Sequence, residues 1–465
     1  MPDPNDLHET NAVLTDPNDE KRFAASSPEP RKSSGNDPLE TGTHTTEEST
    51  AATQRVTRPP PFSRKLTKSL FLRPANTRGP APGWKQSIKS ALTYSWINAL
   101  LIFNPIAWAL HYTHQTDGAV FAMALLGVIP LAGLLGHGTE TIALYTGDAL
   151  GGLINASLGN ATEFIIAILL LVKCEIRVVQ ASLLGGLLSN LLLVTGMAFI
   201  VGGVRFSEQE FQQTAAQLNT SLLTLAVIAL VMPTVFATAI EQASDEEEER
   251  NVILQMSRGS ALILIFIYIS YMVFQLYSHT YLYNPENDTD EDEDEKECPE
   301  MNLVVAICSL VAATGLTYVT AEALTDSLEG IGRSGSVSTE WLGLILLAIV
   351  GNAAEHVTAV FVAYRNKIDL ALAVSVGSCI QIALFVIPLL VLIGWMADKP
   401  LSLLFDPLEV VTLFLSVLLV RFATEDGRTH YMSGILLFGT YVLIAFSFWY
   451  YPQGGTSVSQ LFDSC

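Results

Sequence analysis

Charge is scarce in this chain of 465 residues, of which Asp, Glu, Lys and Arg together make up 15%, against about 25% in ordinary soluble domains. Half of the residues are hydrophobic. That balance excludes a conventional water-soluble globule. Basic residues are scarcer still beyond position 90, where 12 Lys and Arg face 35 Asp and Glu. An acidic body excludes nucleic acid as a partner and suits cations as ligands or substrates. The five cysteines (Cys174, Cys298, Cys308, Cys379, Cys465) are scattered without a Cys-x-x-Cys pair, so neither a disulfide framework nor a zinc site is expected. The extreme N-terminus lacks an apolar core of the signal-peptide kind. There is no His-Glu-x-x-His, no Walker-type glycine loop and no dinucleotide fingerprint, so no enzymatic activity or cofactor is indicated and ATP is not the expected energy source.

What the chain does have is long apolar blocks. Stretches such as 258–277, 300–321 and 433–451 match the length needed to cross a hydrocarbon core of about 30 Å. Residues 1–89 are instead rich in Pro, Ser, Thr, Asp and Asn, and should form a disordered tail. The part of the tail from Arg55 to Lys89 carries nine basic residues and no acids. Basic residues before a first span place that end in the cytosol. Eleven spans follow, at about 91–112, 119–145, 150–172, 178–202, 218–240, 258–279, 301–326, 339–364, 368–396, 407–423 and 431–451. The expected fold is thus an all-α polytopic membrane protein with a cytosolic N-terminus and a C-terminus across the membrane.

The chain also repeats itself. At an offset of 192, Gly159-Asn160-Ala161-Thr162-Glu163 falls on Gly351-Asn352-Ala353-Ala354-Glu355. Downstream, Ala181, Gly185, Leu192 and Val194 fall on Ala373, Gly377, Leu384 and Val386. The implied layout is an auxiliary span at 90–117, a five-span repeat at 118–283, an acidic cytosolic loop at 284–300, a second five-span repeat at 301–451 and a tail at 452–465. An odd number of spans per repeat turns the copies upside down relative to one another. Such inverted repeats belong to secondary transporters, with the substrate site at the midplane between them.

The duplicated block explains itself chemically. Glu163 stands directly before the apolar run from Phe164 to Val172, and Glu355 stands in the equivalent place. An intramembrane carboxylate is costly and marks an ion or proton path. The preceding glycines permit close helix approach or local unwinding. Asn160 and Asn352, three residues before each acid, share its helix face. Two carboxylates, amide oxygens and freed carbonyls form a hard-oxygen shell of the kind Ca²⁺ takes. With no cation bound, crowded carboxylates take up protons, so cation and proton would compete for one site. On the following spans Ser189, Ser378 and Gln381 are candidates to complete or gate the site, or simply to bridge helices. His356 has no repeat mate and either relays protons or packs. Glu140 and Glu322, late in the first span of each repeat, are candidate entrance acids. The acidic run at 245–249 should face the far side, with no assigned role.

These blocks resemble a known family. "GNATEFIIAILLL" and "GNAAEHVTAV" are similar to the paired repeats of the Ca²⁺/H⁺ exchangers within the calcium/cation antiporter superfamily. "IPLAGLLGHGTETIALYTGDALGGLINASLGNATE" resembles the family's first repeat region, and "SVGSCIQIALFVIPL" the span after its second. The resemblance covers about 91–451. It implies an antiporter of the vacuolar or another internal membrane in fungi and plants, removing cytosolic Ca²⁺ (sometimes Mn²⁺) into an acidic lumen. It also implies that Glu163 and Glu355 form the central exchanging pair and that 286–297 is the family's acidic segment. One departure is "TET" at 139–141, where family members often carry adjacent acids. The remaining alternatives are exchange of Mn²⁺ or Na⁺/K⁺ on the same scaffold, or a cation channel. Membrane lipids and the transported ions are the expected partners, and the sequence leaves open whether the chain forms homo-oligomers.

Overall fold

The computed structural model describes residues 82–146, 151, 154, 158–240, 246–279, 282, 299–334 and 337–451. Most of the expected disordered tail, the bulk of the acidic loop and the C-terminal tail lie outside these residues. Thirteen helices are described. They are α1 (Trp84–Thr93), α2 (Phe103–Tyr112), α3 (Asp117–Thr146), α4 (Ala161–Val172), α5 (Ile176–Arg205), α6 (Gln213–Ile240), α7 (Glu247–Ser278), α8 (Leu303–Ser334), α9 (Thr339–Gly351), α10 (Ala353–Tyr364), α11 (Ile368–Met396), α12 (Pro407–Ala423) and α13 (Tyr431–Trp449).

Seven of them (α3, α5, α6, α7, α8, α11 and α13) are long and apolar enough to cross a membrane. The pair α9 and α10 passes the same test as one span bent by 52°. Helix α4 is apolar but shorter. The break between α9 and α10 falls at Asn352, inside what the sequence presents as one unbroken span at 339–364. Helix α8 runs beyond the expected 326 to Ser334, and α7 begins among the acids of 245–249, with Glu249 buried. Two-residue strands β1 (Gln209–Glu210) and β2 (Arg428–Thr429) pair antiparallel, a small addition to an otherwise helical fold. Cys174 is disulfide-bonded, which the scattered cysteines did not lead one to expect.

Burial separates the helices by position. The most apolar window of α5 is 72% buried and that of α11 67%, whereas those of α7, α8 and α13 are 28% buried. The two repeat-equivalent helices therefore form the centre, and the exposed helices present their apolar side chains outward, as lipid requires. Close crossings hold the centre together. Gly185 on α5 lies against the Leu344 carbonyl of α9 with no room for a Cβ, the small-residue contact by which membrane helices approach without hydrophobic driving force.

The bundle has two distinct ends. At one, α1 meets the start of α8: Asn302 N–H donates to Ser87 Oγ at 3.0 Å, and Tyr145 Oη–H to the Met301 carbonyl at 2.9 Å. At the other, Lys173, which ends α4, pairs with Asp326 of α8 and donates to Thr325 Oγ1 at 2.6 Å. Also there, Gln180 Nε2 donates to the Leu404 carbonyl at 2.8 Å, and Tyr451 Oη–H to Asp406 Oδ2 at 2.8 Å.

Candidate cation-binding site

Helices α4 and α10 both begin inside the bundle. Each starts after an asparagine with nearly the same backbone angles, φ −94° and ψ 30° at Asn160 and φ −92° and ψ 19° at Asn352. Each carries its glutamate in the first turn. A helix start leaves backbone N–H groups without intrahelical partners and sets a positive dipole end there. Those features hold a carboxylate at a depth where it would otherwise be costly. The sequence folds this way because Gly-Asn interrupts the helix without a proline, and the apolar residues that follow restart it.

The two acids lie within electrostatic reach of one another: Glu355 is the main charged neighbour of Glu163. Glu163 reaches across to the other break, with its Oε1 3.1 Å from where a Cβ on Gly351 would stand. A larger residue there would press on the carboxylate, which would have to give by a few tenths of an ångström. Glu163 Oε1 and Glu355 Oε2 are both buried without a hydrogen-bond partner, and so is Asn190 Oδ1. Buried polar atoms are nearly always paired, so three orphaned oxygens around one site point to a missing positive ligand. No group of three or more His, Cys, Asp and Glu suited to a metal is found among the described residues. The donors are two carboxylates with amide and hydroxyl oxygens, which suit a hard cation rather than zinc.

A hydrogen-bonded chain links the amides. Asn160 Nδ2 donates to Gln381 Oε1 at 2.7 Å, and Ser378 Oγ–H donates to Asn160 Oδ1 at 2.6 Å. Asn190 Nδ2 donates to Asn352 Oδ1 at 2.8 Å and to Ser378 Oγ at 3.1 Å. Asn352 Nδ2 turns back to the Ala348 carbonyl at 2.8 Å. His356 Nδ1 lies 2.5 Å from the Asn352 carbonyl, and its Nε2 lies 3.5 Å from Ser189 Oγ. So Glu163, Glu355, Asn160, Asn352, Ser189, Ser378, Gln381 and His356 all come together.

The entrance acids part company. Glu140 lines a cavity of about 390 Å³ together with Asn160, Glu355, Ser378, Gln381 and Gln275. Gln275 and Leu276 of the same lining stand in the last turns of α7 and Leu370 in the first turn of α11, which places the mouth at the α1 end. Glu322 stands at the opposite end, where its carbonyl accepts from Lys173 Nζ at 3.3 Å. Glu163 does not line the large cavity. It faces a separate void of about 20 Å³ with Ser182 and Leu347.

Sequence reasoning missed Asn190 and the α7 residues Tyr271 and Gln275. Asn190 carried a signal, being an amide inside "LLSNLLLV", where an intramembrane polar residue defaults to function. Tyr271 and Gln275 sit late in an ordinary apolar span and carried none.

A bent-helix bundle with paired intramembrane acids at its centre defines an ion exchanger. Residues 117–277 and 305–450 match the family described as sodium/calcium exchanger protein, and the chain belongs to that family. It is 40% identical to a vacuolar calcium ion transporter of Cryptococcus neoformans var. grubii over 86% of this chain and 80% of that protein. It is likewise 40% identical to a Ca²⁺/H⁺ antiporter of Aphanothece halophytica, over 76% and 96% of the two chains. Among solved structures, the Ca²⁺/H⁺ antiporter protein YfkE superposes with a TM-score of 0.63 at 31% identity, over 76% of this chain and 99% of that one.

Proposed function

We propose that this protein is a secondary active antiporter that exchanges Ca²⁺ for H⁺ across the vacuolar membrane, carrying cytosolic Ca²⁺ into an acidic lumen. Glu163 and Glu355 bind the cation and take up protons when it leaves. Asn160 and Asn352, with Asn190, supply amide oxygens. Ser189, Ser378, Gln381 and His356 position or gate that shell, and Glu140 draws cations into the cavity. The reading adds α2, α4, the bent α9–α10 pair and α12 to the seven long helices to make eleven crossings, an auxiliary first span before two inverted five-helix repeats. Under it the α1 end is cytosolic, the C-terminus is lumenal, and the cavity faces the cytosol. Glu322 then stands at the lumenal entrance.

The observation that carries this reading is the set of buried, unpartnered oxygens on Glu163, Glu355 and Asn190, with the two acids at equivalent helix breaks and Glu355 lining a cavity whose mouth lies at one end. A cation satisfies them with its charge, and protons do so by neutralising the carboxylates, which makes the two mutually exclusive. A continuous pore would instead need an opening on both sides.

Uptake of radiolabelled Ca²⁺ into acid-loaded vesicles tests it. The wild type is expected to stop when a protonophore collapses the pH gradient, and Glu163→Gln and Glu355→Gln to fall to background. Uptake that outlasts the gradient rejects proton coupling, and full activity in both variants removes the acids from the site.

A further inference from the structure

Helix α1 is too short to cross a membrane, and its ten residues sort into stripes. At about 100° per residue, Ser87 and Ala91 share one face and are buried against the bundle. Ser87 Oγ accepts from Asn302 N–H at 3.0 Å and Ser90 Oγ–H donates to Glu300 Oε2 at 2.9 Å. The neighbouring stripe of Trp84, Ile88 and Leu92 is open, at 61%, 50% and 60% exposure. Lys85 and Lys89, both exposed, follow on the side turned away from the protein, and α1 holds no acid. Past its end, Trp96 and Ile102, 82% and 63% exposed, carry the apolar surface on to α2.

We propose that α1 is an interfacial helix lying in the lipid headgroup layer at the cavity end of the bundle. Its Trp84–Ile88–Leu92 stripe sits among the acyl chains, and Lys85 and Lys89 bind the phosphates of anionic lipids. A helix with an apolar face, a lysine face and aromatic residues at its ends is the form that lies in the membrane plane. Exposed Trp96 and Ile102 follow the stripe toward α2, which the proposed topology counts as a crossing, so lipid stands beside it. Charge agrees, since residues 55–89 carry nine basic residues and no acid.

The placement has a consequence for exchange. Through Ser87 and Ser90 the helix grips Asn302 and Glu300 at the foot of α8. Tyr94, directly after α1, stacks on His137 with ring centroids 4.1 Å apart, one turn before Glu140 at the cavity. Lipid that holds α1 thereby holds the cavity mouth.

Two measurements on the full chain in vesicles test this. The first reads position without exchange: in vesicles of brominated phosphatidylcholine, Trp84→Phe should remove emission from the quenched fraction. Loss from the unquenched fraction instead would show α1 in water and overturn the proposal. The second reads exchange in phosphatidylcholine with increasing phosphatidylserine. Wild type should speed up, and Lys85→Gln/Lys89→Gln should match it in pure phosphatidylcholine. The variant should need about fivefold more phosphatidylserine per lysine lost, from about 1 kcal/mol of attraction for each. Indifference of the wild type to phosphatidylserine, or an unchanged response in the variant, would overturn it. So would full stimulation by inorganic phosphate alone, which would mark a soluble-anion site.

Discussion

Asn190 shares its amide nitrogen between Asn352 Oδ1 and Ser378 Oγ, and its own Oδ1 is buried without a partner. It therefore both aims a neighbouring ligand and offers one. Asn190→Ala removes that oxygen and strands Asn352 Oδ1, at a cost of about 1–3 kcal/mol for a buried group left unsatisfied. Measured as the Ca²⁺ concentration for half-maximal uptake, the variant should be weaker by roughly tenfold or more, and the protein should still assemble. The acids differ in access rather than in kind. Glu355 lines the cavity, and Glu163 lines a separate small void instead. A hydrophobic carbodiimide applied from the α1 end should thus modify Glu355 first, with Ca²⁺ protecting it. Peptide mapping reads the order, and equal labelling of both acids contradicts one-sided access. Both glutamates and both break asparagines were legible, because "GNATE" and "GNAAE" declare themselves by repetition. Asn190 had no such repetition, since its repeat position is Ile382, and only its place as an amide inside an apolar run marked it.

At the scale of elements, the sequence shows where helices lie better than how they depart from regularity. Six residues, Ser189–Val194, form a π-turn inside α5, and Ile382–Val386 form one at the equivalent place in α11. Such turns are frequent at functional sites, and Ser189, Asn190 and Gln381 stand in or beside them here. No proline announces the first, although Pro388 follows the second, and an apolar period of about 3.6 residues averages over a single extra residue. The break at Asn352 had a local signal in Gly351-Asn352, but the apolar residues on either side read as one span of 339–364. Packing at the crossing of α5 and α9 gives a sharper test. Gly185 has no space for a Cβ beside the Leu344 carbonyl, whereas its repeat mate Gly377 has nothing within 4 Å. Gly185→Ala should destabilise the protein by about 1–3 kcal/mol through overpacking, and Gly377→Ala should be tolerated. Thermal melting in detergent separates them, and equal melting points would show that the crossing adapts.

For the whole molecule, one-sided access implies that something closes the other end. Lys173, at the end of the helix that starts near Glu163, pairs with Asp326 and donates to Thr325 on α8. His111 of α2 lies 3.5 Å from the second Asp326 oxygen. Helix α8 packs along α3, so these contacts tie the α3–α8 pair to the core at the end away from the cavity. Alternating access needs that pair and the core to rock about the fixed site, and the Lys173–Asp326 tie must open when they do. Because Lys173 and Asp326 are 26% and 42% exposed, the pair is worth only about 0.2–1 kcal/mol. Its loss should shift the balance by up to about fivefold without unfolding the bundle. Ser182, beside Glu163 in the small void, reports the shift. On a background with Cys308, an exposed free thiol, changed to Ser, Ser182→Cys should react faster with a thiol reagent from the Lys173 end once Asp326→Asn is added. Labelling at the α1 end should fall in step. An unchanged rate at the Lys173 end would mean that the closure is made by packing alone, with the ion pair idle.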